Sequence, residues 1–127
     1  MSGLRESLGR FLEVDGVRTV AVIDIATGMV VRSAGEAGPD FPATAASVAD
    51  EARAARGIAE GASATGDRPA GDLVEITTVT GSRLQVAQVL QPRPGQGLLL
   101  FVDVERDKTN IGLASRHVHE LSPAVLA

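Results

Sequence analysis

Hydrophobic residues recur with a helical period at both ends of the chain. Apolar residues spaced three and four apart form one face of an α-helix. The pattern predicts a first helix over Ser2–Val14 and a last helix over Lys108–Leu121, with Asp107 as the N-cap of the latter. The residues that carry the period are Leu4, Leu8, Phe11 and Leu12, and then Ile111, Ala114, Val118 and Leu121.

Five segments between these helices are rich in β-branched residues, which favour strands. The segment around Val20 is apolar on both alternating faces, as expected for a strand that is covered on both sides. The last of the five is the most apolar, so we expect it at the centre of the sheet. The predicted strands are Val17–Asp24, Met29–Ser33, Leu73–Val79, Arg83–Leu90 and Leu98–Val104.

A middle helix is predicted from Phe41–Pro42 to about Ala62, since proline is tolerated in a first helical turn. Its apolar stripe, from Ala45 to Ala62, consists mainly of alanine. A loop rich in glycine, alanine and serine is predicted over Ser63–Asp72.

The element order is therefore α-β-β-α-β-β-β-α. Consecutive strands joined by short turns are antiparallel, and the middle helix carries the chain across the sheet. This order predicts an α/β (α+β) fold in which a five-stranded antiparallel sheet has helices on both faces, a three-layer sandwich. No linker divides the chain, so residues 1–127 are expected to form a single domain.

Composition excludes several classes of function. The net charge of −4 lacks the basic footprint of a nucleic-acid-binding protein, and three Phe without Trp or Tyr cannot supply a set of stacking platforms for bases. The absence of cysteine excludes disulfides and thiolate chemistry. We expect no membrane insertion and a cytoplasmic protein, because no apolar run approaches the ~20 residues of a bilayer span and the first twelve residues do not form a signal peptide.

The candidate phosphate and metal sites lack residues that such sites require. Gly61 and Gly66 have the spacing of a phosphate-binding loop, but Asp67 and Arg68 replace the required lysine and hydroxyl residue. Asp103, Glu105 and Asp107 alternate like the first ligands of a calcium loop. That loop needs glycine and glutamate where this chain has Lys108 and Ala114.

The two histidines, His117 and His119, are two apart on the last helix, so they point to nearly opposite sides and cannot share a metal ion. We interpret them as surface residues near a helix C-terminus. No combination of nucleophile, base and orienting group is apparent, so we expect a protein that is not an enzyme and needs no cofactor.

The alanine stripe has two interpretations. It can pack an ordinary core helix, or it can meet its own copy across a twofold axis, because small side chains allow two backbones to approach closely. The strand Leu73–Val79, rich in threonine, favours the second interpretation, since it suits a sheet edge that must be protected or paired. The predicted dimer interface consists of Ala45, Val48, Ala49, Ala52 and Ala55 on the helix and of Glu75, Thr77 and Val79 on the strand.

With this order of elements, three short segments make the chain resemble the roadblock/dynein light-chain family. They are Gly16–Val17 leading into Val20–Asp24 and Thr27–Gly28, the pair Val102–Asp103, and Asn110–Ala114. The resemblance extends from about Leu4 to Leu121. It implies a profilin-like fold, a single roadblock domain, and a homodimer formed through the middle helix and the adjacent edge strand.

For a bacterial member, the resemblance further implies a non-enzymatic adaptor or regulator. Such a protein binds a small Ras-like GTPase and modulates its nucleotide cycle or localisation. A small-molecule sensor or a scaffold domain of a signalling complex is the alternative function, since a ligand can lie between sheet and helix in sandwiches of this kind.

Overall fold

The computed structural model describes residues 2–65, 73–90 and 97–125. Three helices, α1–α3, and five strands, β1–β5, follow one another in the predicted order. Short 3-10 turns at Arg106–Lys108 and Ser122–Ala124 flank the last helix. The bounds are α1 Ser2–Leu12, β1 Val17–Asp24, β2 Val30–Gly35, α2 Phe41–Thr65, β3 Glu75–Val79, β4 Arg83–Val89, β5 Leu98–Glu105 and α3 Ile111–Leu121.

The strands form one five-stranded sheet in the order β2-β1-β5-β4-β3, and every neighbouring pair is antiparallel. The central position of β5 and the edge position of β3 confirm two predictions from the sequence. Hydrophobic pattern explains both positions: Leu99, Leu100, Phe101 and Val102 are buried on alternating faces of β5, whereas every residue of β3 retains some exposure.

Helices cover both faces of the sheet. Leu8 and Phe11 of α1 and Val118 of α3 share one buried cluster with Val20 and Val102 of the sheet. On the other face, α2 packs on the alternate residues of the same strands in a second cluster. Its members include Ala21, Ile23, Leu99 and Phe101 from the sheet and Ala45, Ala49 and Ala52 from the helix. The predicted α+β three-layer sandwich, with the roadblock arrangement of elements, is therefore the observed fold.

Three helix boundaries differ from the sequence predictions. The helix α1 ends at Leu12 rather than Val14. The helix α3 begins at Ile111 rather than Lys108, because Asn110 rather than Asp107 is its N-cap: the Asn110 side-chain oxygen accepts a hydrogen bond from the Leu113 N–H at 2.9 Å. The helix α2 continues to Thr65, so the first three residues of the predicted Ser63–Asp72 loop are helical. The rest of that loop lies outside the described residues. Within the described ranges, no helix has the length and apolar character needed to cross a membrane.

Candidate protein–protein interface

The outer edge of β3 presents main-chain hydrogen-bonding groups that no described strand pairs with. The Val89 N–H donates to the Val74 carbonyl at 2.8 Å, and the Thr80 N–H donates to the Arg83 carbonyl at 2.9 Å. Antiparallel pairs alternate between bonded and non-bonded positions, so the even-numbered residues between these two bonds face β4. The N–H and C=O groups of Glu75, Thr77 and Val79 therefore point outward, away from the sheet.

A narrow cleft separates this edge strand from α2. Val48 and Glu51 of the helix line one side, and Ile76 and Thr78 of β3 line the other, with Phe101 among the remaining lining residues. The space within it is about 10 Å³, room for about one water molecule. Ile76 and Thr78 are half-buried and belong to the edge strand, so the cleft lies beside the free edge.

Most of the predicted alanine stripe faces the protein's own core, in agreement with the first interpretation of the stripe, an ordinary core helix. Ala45, Ala49 and Ala52 have no exposed surface and pack on the chain's own sheet, whereas Val48 is 7% exposed and lines the cleft. A helical period identifies an apolar face, but it does not say whether that face meets the same chain or a partner. Ala55 is half-buried, and the side chains of Ala59 and Ala62 lie outside the described residues.

The side of α2 next to the cleft remains available for contact. Ile58 follows Glu51 by two helical turns and is 75% exposed. Among the described side chains of α2, no buried residue occurs after Ala52. Residues 53–58 of this 25-residue helix therefore gain little from packing on their own sheet.

The other sheet edge is less regular. Arg32 of β2 pairs with Val22, whereas Val30 pairs with Ile23, so Val31 is an extra residue in a β-bulge. Gly35 at the end of the strand has a φ of 90°. A bulge and a central arginine are devices that discourage further strand pairing, whereas β3 keeps an unbroken register with β4. The two edges thus differ, and β3 is the one suited to accept another strand.

On the face opposite α2, the side chain of Glu75 is held by α3. The Ser115 hydroxyl donates to Glu75 Oε2 at 3.0 Å, and His119 Nε2 lies 3.4 Å from Glu75 Oε1. The other ring nitrogen of His119, Nδ1, is 3.1 Å from the Gln88 side-chain nitrogen. His119 is 51% exposed, as expected for a surface residue, and it is also part of a polar cluster. The cluster joins residues that are far apart in sequence, and no sequence pattern predicted it.

A second group of charged residues lies near the C-terminal end of β5. Arg18 donates from Nε to Glu105 Oε1 at 2.8 Å and from Nη1 to Glu36 Oε1 at 3.0 Å. The hydrogen bond from Arg18 lowers the pKa of Glu105. Burial raises the pKa of Asp103, although Arg83 Nη1 is 3.6 Å from its carboxylate. Two of the three rejected calcium candidates are therefore associated with arginines.

Together, these features define a roadblock-type sandwich in which β3 is a regular edge strand that no described strand pairs with on its outer side, next to a helix that has no buried side chain at residues 53–58. The structure of MglB from Myxococcus xanthus is similar with a TM-score of 0.81 and 14% identity, over 98% of this chain and 85% of that one. A structure described as MglB with a tetrameric arrangement has a TM-score of 0.77 and 18% identity, over 98% and 85% of the two chains. A Roadblock/LC7 domain from Streptomyces avermitilis has a TM-score of 0.68 and 22% identity, over 98% and 88%.

These likenesses establish that the chain has the roadblock fold. No protein-family model matches the sequence, and no curated protein matches it.

Proposed function

We propose that this protein is a non-enzymatic, homodimeric regulator that binds a small Ras-like GTPase and modulates its nucleotide cycle or localisation. The observation that carries the dimer is the free, regular edge of β3 beside the cleft at α2. Its fold, shared with MglB, supports the link to a GTPase system. The eight interface residues predicted from the sequence are accordingly revised to Val48, Glu51, Ala55 and Ile58 on α2 and to Glu75–Val79 on β3.

The edge of β3 supports pairing with an identical strand. Thr77 is the middle one of the three residues whose main-chain groups point outward, so an antiparallel copy centred on Thr77 would meet the same spacing of donors and acceptors. Such a pairing is isologous, because the same surface is used twice across a twofold axis. It would extend the five-stranded sheet into a ten-stranded one.

The helix α2 supports the same arrangement. In a dimer built on β3, the two copies of α2 would lie side by side over the joined sheet, and the cleft beside each would be covered. Burial of Ile58 would then supply packing for the second half of the helix, at roughly 25 cal/mol for each Å² of apolar surface removed from water.

The GTPase arm of the proposal is tested by mixing the protein with small Ras-like GTPases of its own organism, in the GDP form and with a non-hydrolysable GTP analogue. We expect a complex that co-elutes in size-exclusion chromatography with one nucleotide form, or a changed rate of GTP turnover. The Thr77→Pro variant, which should not form the dimer, serves as the matched control. Unchanged elution and unchanged turnover for every such GTPase would refute the regulator function.

The alternative function, a small-molecule sensor, would need a pocket between helix and sheet. The cleft at α2 holds about 10 Å³, far below the several hundred Å³ of typical ligand sites. A larger hollow of about 620 Å³ lies at the surface between Gly81–Arg83 and Glu105–Asp107, but it is open and lined by charges of both signs. The small volume of the cleft between α2 and β3 favours a protein partner over a small ligand at that site. A scaffold role in a signalling complex would appear in the same mixing experiment as binding without a change in turnover.

A further inference from the structure

The proposed dimer edge carries one charged side chain, Glu75, and that side chain is contacted by a histidine. The main chain of Glu75 points to the open edge, while its carboxylate lies on the α3 side and its side chain is only 20% exposed. A second copy paired along β3 would remove more water from this carboxylate. Burial of a charge is costly unless an opposite charge and hydrogen bonds compensate it.

The charge that can compensate Glu75 comes from His119 alone among the described residues that face the cluster. On β3, Glu75 is the only charged residue, and the α3-side residues of β4, which include Gln88, are uncharged. Arg83 of β4 lies on the opposite face, near Asp103. The 3-10 turn Ser122–Ala124 has no charged side chain.

On α3 itself, Arg116 is bound to Glu120 at 2.9 Å. His117, two residues from His119, points away from the cluster. The charge state of the Glu75 site therefore depends chiefly on whether His119 carries a second proton.

Gln88 allows the cluster to accept either state of His119. With a neutral ring, the Gln88 side-chain N–H donates to Nδ1, and Nε2 carries the ring proton 3.4 Å from Glu75 Oε1. In this arrangement the buried Gln88 Oε1 has no hydrogen-bond partner. If the ring is protonated, a half-turn of the amide brings Oε1 to Nδ1–H, and the Nε2–H contact becomes an ion pair with Glu75. The Gln88 amide can therefore form a hydrogen bond with the His119 ring in both protonation states, because one of its two polar groups faces the ring in each state.

We propose that His119 makes the association of two copies along β3 pH-dependent, with protonation of His119 strengthening the dimer. This inference rests on the proposed homodimer and adds its regulation. The partner strand would cover Glu75 most readily when imidazolium already balances the carboxylate. As pH rises and His119 becomes neutral, each copy would bring an uncompensated carboxylate to the interface, and the dimer would weaken.

The test is the dimer dissociation constant, measured by sedimentation at about pH 6 and about pH 8, because an ordinary histidine side chain loses most of its positive charge between these two values. For the wild type we expect a dissociation constant about threefold to tenfold lower at the acid pH, as for one or two ion pairs of modest strength. His119→Gln and Glu75→Gln should each remove this difference between the dissociation constants at the two pH values. The first variant cannot be protonated at this position, and the second has no carboxylate there to compensate. His117→Gln, on the same helix, should keep the difference.

Far-UV circular dichroism and thermal melting of each variant establish that it is folded. Two different variants test the same contact between Glu75 and His119. If one of them does not fold, the other still tests whether this contact makes the dimer pH-dependent. A pH ratio that persists in folded His119→Gln, or a wild-type dimer with the same dissociation constant at both values, would overturn the role of His119 but leave the dimer intact. A wild type that is monomeric at both values would instead overturn the proposed dimer.

Discussion

A side chain placed on Gly28 would begin 3.1 Å from the α carbon of Ala46. The turn between β1 and β2 thus lies directly against the first half of α2, and Gly28 itself has a φ of 76°. Arg53 also fastens this turn to the helix, because its guanidinium donates to the Ile25 carbonyl. The position of α2 over the sheet, and hence of the cleft beside β3, depends on these contacts.

Gly28→Ala should therefore lower the free energy of unfolding by about 2 kcal/mol, since alanine is strained at positive φ and its methyl group would crowd backbone atoms. Gly9→Ala is the matched control, because it lies within α1 and a Cβ there would have nothing within 4 Å. The control should raise stability by up to about 1 kcal/mol. Urea denaturation measures both, and equal effects of the two substitutions would contradict the close approach.

Thr77→Pro should prevent dimerisation without disturbing the monomer. Proline removes an N–H that points to the free edge and makes no bond to β4, and edge strands tolerate proline on such positions. We expect the dimer dissociation constant to rise by about tenfold or more. Thr77→Val, which keeps the N–H, should remain dimeric. Light scattering after size exclusion distinguishes the two masses, and a dimeric proline variant would exclude β3 as the interface.

Ile58→Glu should also weaken the dimer, because it would place an unpaired charge where we propose that two α2 helices meet. Ile58 is 75% exposed in the single chain, so the monomer should lose less than about 0.5 kcal/mol. Met29→Glu is the control: Met29 is 68% exposed but lies at the turn beside the β2 edge. If sedimentation shows the same change for both variants, the contact surface does not include this side of α2.

Glu105→Gln should reduce the loss of stability in acid. The bond from Arg18 lowers the pKa of Glu105, so ionised Glu105 favours the folded state. This contribution is present above the pKa of Glu105 in the unfolded chain and disappears as pH falls through its lower pKa in the folded protein. Melting temperatures over the acid range should decline less steeply in the glutamine variant. Glu120→Gln, which affects an exposed pair with Arg116, should keep the wild-type slope.

The sequence predicted the order of elements because the spacing of apolar residues within one helix or strand reflects which face of that element is buried. The high apolar content of β5 predicted its central position, and the threonines of β3 predicted an edge. Local pattern failed at the start of α3, where Asp107 and Asn110 are both acceptable caps. The choice between them depends on where β5 ends and on the 3-10 turn that follows, and neither is a property of three or four residues alone.

For the interface, the sequence indicated β3 and α2 as candidate elements and named Glu75, Thr77 and Val79, whose main-chain groups point outward from the sheet in the structure. Which side of α2 is free was decided only in three dimensions, because alanine suits either a close-packed core or a contact between two helices. The sheet buries Ala45, Ala49 and Ala52 and leaves Ile58 exposed. The meeting of Glu75, Gln88 and His119 likewise required the tertiary structure, since strand pairing and helix docking bring together residues that no sequence period connects.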